Sequence, residues 1–157
     1  MAINAENVPT RPSEVEAGSQ QAILFSVATL HLCLPLANII KALPIMSLQQ
    51  IPDAPPYFVG FMNYRRKSVP IIDLASRLNL PQNDYNIDTQ ILLCEHADRI
   101  AGFVVGDIYG VKTLDLSQRQ QAELFDDYDI PFDAVFEEDE QLIFMLNVGD
   151  LLSSELC

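Results

Sequence analysis

The sequence predicts a mainly β fold made of short strands. Three observations carry this: β-prone runs of five to seven residues recur along most of the chain, turn-forming residues separate them at close intervals, and no apolar pattern at helical spacing runs past about two turns. Many short strands with only short helices between them build a barrel or a sandwich rather than a doubly wound sheet. At 157 residues and 49% apolar content, the chain has the size of one domain with a real core.

Residues 1–20 mix Asn, Glu, Pro, Ser and Gly without periodicity and are expected to form a mobile tail, with the domain proper spanning 21–157. Residues 22–28 and 30–34 are β-prone runs split by a brief turn, which predicts a hairpin ended by Pro35. Leu36, Ile39, Ile40 and Leu43 fall at helical spacing, so 36–43 is expected as two turns of helix stopped by Pro44. Residues 50–56 carry three prolines and an aspartate, a rigid connection without regular structure.

Residues 60–64 and 68–72 are apolar enough to pair as strands around a polar apex, and Asp73 is placed to N-cap a short helix through Leu78. A polar loop over 81–88 leads to three β-rich runs, 90–95, 99–105 and 108–114. His96-Ala97-Asp98 and Gly106-Asp107 separate them, the second pair being the tightest hairpin signal. After a polar loop with a helical turn over 115–125, runs 134–136 and 142–146 flank the acidic residues 137–140, expected as a hairpin tip. Asn147 then caps a terminal helix over 148–156.

A faint internal echo predicts two similar halves. Gly60-Phe61, Asp73-Leu74 and Arg77 recur at the same intervals as Gly102-Phe103, Asp115-Leu116 and Arg119, the pattern of a duplicated small β unit and hence of two small barrels.

The formal charge of -13 argues against nonspecific binding to nucleic acid or anionic lipid, since phosphate would be repelled over most of the surface. No apolar run approaches the roughly eighteen residues of a membrane-spanning helix, so no direct membrane insertion is expected. The cysteines, Cys33, Cys94 and Cys157, are odd in number and widely spaced, and no N-terminal signal pattern is present, which together point to the cytoplasm.

Three constellations could carry chemistry. His31 with Cys33 and Cys94 with His96 would each share a strand face and, if brought together, offer a Cys2His2 set for zinc; half-exposed histidines beside buried cysteines are the competing reading. Asp126, Asp127, Asp129 and Asp133 lack the glycine of a calcium loop and read as a solvated acidic loop. Cys94, inside Ile-Leu-Leu-Cys, reads as a small buried hydrophobe rather than a nucleophile. No hydrolase elbow, phosphate-cradling loop or dinucleotide fingerprint is present, so neither an enzyme nor a cofactor or metal site is expected.

Arg65, Arg66 and Lys67 are three of only nine basic residues on a chain with twenty-two acidic ones. Charged hairpin tips often serve solubility alone. Here Arg65 follows Asn63-Tyr64 between two apolar runs, so its position is fixed, and a rigid arginine beside an aromatic is the kind of group that anchors an interface.

Ile51-Pro52, Ala54-Pro55, Tyr57, Gly60, Asn63-x-Arg65 and Val69-Pro70-Ile71-Ile72-Asp73-Leu74 resemble the core signature of CheW-type coupling domains. The likeness extends over residues 21–152: Leu24-Phe25 with Leu34-Pro35-Leu36 looks like the family's opening strands, residues 100–105 like its central strand, and 142–152 like its closing strand and helix. The resemblance implies two SH3-like five-stranded barrels around a shared hydrophobic core, with short connecting helices and a C-terminal helix.

It also implies a non-catalytic adaptor that couples the cytoplasmic tip of methyl-accepting chemoreceptors to the regulatory domain of a CheA-type histidine kinase. The kinase domain would bind through one barrel and a receptor helical hairpin in a groove between barrels. Carried over, Arg65 with Asn63 would lie at the receptor contact, and Ile39 and Ile40 would add apolar groove surface. Two departures stand out. Arg66 and Lys67 follow the signature arginine where glycine is usual, so the left-handed geometry glycine served is expected to relax, and Lys41 stands near a position that is often acidic. These three cations point to a specialised paralogue with a more acidic partner, such as one serving pili or surface behaviour. The alternative is a stand-alone β-barrel module sensing a small ligand, whose mark would be a roomy apolar pocket.

Overall fold

The computed structural model describes residues 18–46, 48, 52–81, 84–120, 125 and 132–152. The strands are β1 (Ser19–Val27), β2 (Leu30–Pro35), β3 (Ile39–Pro44), β4 (Phe58–Tyr64), β5 (Lys67–Asp73), β6 (Gln90–His96), β7 (Arg99–Val105), β8 (Ile108–Asp115), β9 (Phe132–Glu138) and β10 (Gln141–Leu146). Two one-turn helices, α1 (Leu74–Arg77) and α2 (Val148–Leu151), follow β5 and β10.

The strands form two five-stranded sheets, in orders β9-β10-β2-β1-β8 and β3-β6-β7-β5-β4. Each has three antiparallel pairs and one parallel pair, β10 with β2 in the first and β5 with β7 in the second. Taken in chain order, the second sheet is β3, β4, β5, β6, β7, and the first repeats that course as β8, β9, β10, β1, β2, its first three strands coming from the end of the chain and its last two from the beginning.

Strand alternation sorts the apolar side chains into three clusters. Ala22, Cys33, Leu114, Phe136, Ile143 and Met145 fill the inside of the first sheet, which curls into barrel 1. Val69, Ile71, Ile91, Leu93 and Val104 fill barrel 2. The intervening residues, among them Phe25, Leu32, Ile72, Leu92, Phe103 and Phe144, form a larger core shared by both barrels. These are the two SH3-like barrels around a common core that the resemblance implied. In barrel 2, β7 carries Gly102 because a Cβ there would lie 2.6 Å from Ile71 Cδ1 and 2.9 Å from Ile91 Cγ2.

Both helices begin the same way. The Asp73 carboxylate accepts from the Ser76 amide at 2.9 Å, and the Asn147 side-chain oxygen accepts from the Asp150 amide at 2.9 Å, each satisfying one otherwise unpaired N–H. Asp73 is buried at 3% exposure, and its second oxygen accepts from the Tyr85 hydroxyl. Where α2 ends in barrel 1, two arginines from barrel 2 take its carbonyls: Arg77 donates to Asp150 O at 3.4 Å and Arg99 to Leu152 O.

Several expectations are corrected. Residues 36–43 are a 3-10 turn (Leu36–Asn38) running into β3, not a helix, because β6 offers a free edge with which Ile39 to Pro44 pair. Gly106-Asp107 is no hairpin turn: β7 and β8 lie in different sheets, and the pair is the crossover between barrels. Ser26 holds it, its carbonyl accepting from the Gly106 amide at 2.8 Å and its hydroxyl from the Asp107 amide at 3.0 Å. The two halves are real, but the echo paired the wrong residues: Gly60 lies on edge strand β4 and Gly102 on inner strand β7, while Asp73 corresponds in topology to Asn147. The first strand begins at Ser19, and the last helix is described only to Leu151 with Leu152 as its cap.

Candidate partner-binding site

The β4–β5 hairpin brings Asn63, Arg65, Arg66 and Lys67 to one exposed tip. Asn63 faces Ser68 and Tyr64 faces Lys67 across the ladder, leaving Arg65 and Arg66 as a two-residue turn. Their φ values are +52° and +67°, the left-handed pair of a mirror-image turn whose twist matches that of the strands. The left-handed geometry expected to relax at Arg66 is therefore retained. Tyr64 packs its ring against the barrel 2 core, and the Arg65 guanidinium lies over it, 4.9 Å from the centroid. Arg65 is thus exposed yet held.

Ile39, Ile40 and Lys41 lie on β3, at the opposite end of the strand order from β4. Ile39 packs against the shared core, whereas Ile40 packs against the same barrel 2 cluster as Tyr64; both are half-buried. Lys41 is exposed. Asn63, Arg65, Arg66 and Lys67 are presented together at the tip, while Ile39, Ile40 and Lys41 stand on β3, the other edge of the sheet that curls into barrel 2.

A second exposed surface was not anticipated. On β8, an edge strand of the first sheet, Tyr109 is 53% and Val111 54% exposed, with the His31 ring 5.7 Å from that of Tyr109. Its signal in the sequence was the alternation along 108–114, which indicates a strand but not which face stays bare. Nearby, Lys112 bridges to Glu138 at 2.9 Å and ties β8 to β9; this hydrogen bond raises the Lys112 pKa above its ordinary value. Hydrogen bonds from the Ser117 side chain and amide lower that of Asp115.

Cys33 lies inside barrel 1 and Cys94 in the shared core, so the Cys2His2 set does not converge; among the described residues no group of three or more metal-type ligands comes together. Burial pushes both thiols up to about 12, which keeps them protonated and unreactive as nucleophiles. The calcium-like residues, apart from Asp133, lie outside the described residues; Asp133 accepts from the Asn147 amide nitrogen at 2.7 Å. A half-open cleft of about 280 Å³ sits beside the crossover, lined by Ser26, Asp73, Tyr85, Thr89 and Asp107 among others. It is polar, and the barrel interiors are filled by side chains, so the apolar chamber of a ligand-sensing barrel is not what these residues form. No helix among the described residues is long and apolar enough to cross a membrane.

The sequence profile of the CheW-like domain matches residues 21–156. The chain belongs to the CheW-like domain family. Chemotaxis protein CheW of Helicobacter pylori is 25% identical to this CheW-like chain over 156 residues, 92% of this chain and 93% of that protein. Protein PilI of Pseudomonas aeruginosa is 24% identical over 108 residues, 69% of this chain and 60% of its own length. Among solved structures, the scaffolding protein TtCheW from Thermoanaerobacter tengcongensis matches with a TM-score of 0.74 at 23% identity, covering 81% of this chain and 88% of that one, a likeness of fold.

Proposed function

We propose that this CheW-like protein is a non-catalytic coupling adaptor of a bacterial chemosensory pathway. It joins the cytoplasmic tip of methyl-accepting chemoreceptors to the regulatory domain of a CheA-type histidine kinase. It works in the cytoplasm and reaches membrane receptor arrays through these partners. The observation that carries the reading is the preorganised basic tip: Arg65, fixed over Tyr64 on a CheW-like fold, offers a cation that need not be ordered on binding. A receptor hairpin is helical and would lay an apolar stripe along the protein, with Arg65 satisfying a polar group at its edge. Two partners need two surfaces, and the bare β8 strip on barrel 1 is separate from the tip on barrel 2.

Similarity to PilI favours a narrower reading, a paralogue serving pilus or surface behaviour. The test of the coupling role is to mix the purified chain with a receptor cytoplasmic fragment and a kinase regulatory domain from the same genome. A ternary complex by size exclusion with light scattering is expected; failure to bind either partner would remove the coupling role.

A further inference from the structure

Nine residues of the chain are basic, and all but Arg11 are described. Four of these are committed inside the chain: Arg77 and Arg99 to the carbonyls ending α2, Arg119 to the Leu116 carbonyl, and Lys112 to Glu138. The others, Lys41, Arg65, Arg66 and Lys67, all stand on barrel 2, and three of them are consecutive at the β4–β5 tip. Arg65 is occupied by the Tyr64 ring. The Arg66 and Lys67 side chains are exposed and, among the described residues, have no ion-pair partner.

The backbone beneath them adds a second observation. Three two-residue turns share one left-handed geometry: Ala97-Asp98 at φ +52° and +68°, Asp139-Glu140 at +51° and +66°, and Arg65-Arg66 at +52° and +67°. Glycine, asparagine and aspartate tolerate this region, and the first two turns each contain an aspartate. The Arg65-Arg66 turn contains none of the three. Arg66 is exposed and, among the described residues, has no hydrogen-bond or ion-pair partner for its side chain, so its left-handed backbone is an outlier that motivates a functional reading.

We infer that Arg66 is a specificity residue which, with Lys67, selects a protein partner presenting paired carboxylates opposite the tip. The guanidinium fork takes one carboxylate through two parallel N–H donations, and Lys67 supplies a point charge beside it. Elsewhere the chain is acidic, with a formal charge of -13, so such a partner is drawn to this tip and turned away from the rest of the surface. The inference rests on the coupling reading and names the chemistry of the receptor side of it.

The test compares the full chain with Arg66→Gly and Arg66→Lys, measuring melting temperature and calorimetric affinity for a receptor cytoplasmic fragment from the same genome at low and high salt. Relief of strain raises the melting temperature of Arg66→Gly by about 2–4 °C. Its affinity falls roughly ten-fold at low salt, and the gap narrows as salt screens the charges. Arg66→Lys keeps the charge without the fork and falls between. An Arg66→Gly chain that gains stability yet binds as its parent does at low salt overturns this inference alone, as does one with no gain in stability. A parent chain that binds neither the receptor fragment nor a kinase regulatory domain overturns the coupling reading and this inference with it.

Discussion

At Asp73 one carboxylate, 3% exposed, ends β5, caps α1 through the Ser76 amide and accepts from the Tyr85 hydroxyl. The cap was legible in the sequence because it depends on a residue three positions on, inside the same turn. Tyr85 was not, since it reaches Asp73 from a polar loop twelve residues away with no periodicity to announce its course. Replacing Asp73 with alanine removes the cap and its hydrogen bond with the Tyr85 hydroxyl, which costs about 2 kcal/mol. Asp73→Asn keeps an acceptor for the Ser76 amide and loses less. Urea unfolding of the two variants beside the parent checks both the size and the order.

Among the elements, the hairpins and the capped helices were read correctly, and two connections, 36–43 and Gly106-Asp107, were not. Alternating apolar residues and turn formers sit within a few positions of each other, so β1–β2, β4–β5, β6–β7 and β9–β10 follow from local pattern. Ile39, Ile40 and Leu43 fit a helix equally well on spacing; pairing with β6, some fifty residues later, decided for a strand. Gly106-Asp107 looked like a hairpin turn for a related reason: glycine serves tight turns and also any place where backbones approach closely. At Gly106 that neighbour is Ser26, whose Oγ and O would lie 2.7 Å and 2.9 Å from an added Cβ. Gly106→Ala is therefore expected to destabilise the protein by about 1–3 kcal/mol, because the obstructing carbonyl belongs to a paired strand and cannot swing away. A thermal melt indistinguishable from the parent would show that the crossover yields more easily than its geometry implies.

For the molecule as a whole, two barrels of like topology are joined by a core to which both contribute, and the chain's two ends complete barrel 1 together. No periodicity in the sequence reveals that course, because the strands that repeat are permuted around the ends; the family signature implied the two barrels but not the path of the chain through them. The candidate site divides in the same way. Asn63, Arg65, Arg66 and Lys67 are neighbours in sequence and in space, so the basic tip was readable, whereas the grouping of Ile39, Ile40 and Lys41 with it rested on the family resemblance, since no local pattern relates β3 to the β4–β5 hairpin. The bare β8 strip was invisible for a further reason, since exposure of one strand face depends on what the rest of the fold leaves uncovered.

The central claim is that the tip of barrel 2 couples receptor to kinase, and charge reversal at Arg65 tests it most directly. Arg65 is exposed and, among the described residues, is held by the Tyr64 ring alone, so Arg65→Glu should melt within a degree or so of the parent. In a reconstituted mixture of receptor fragment, kinase and adaptor, the account predicts a substituted chain that is fully folded but yields much less ternary complex. An Arg65→Glu chain that melts like the parent and assembles the complex at the parent's affinity would contradict it.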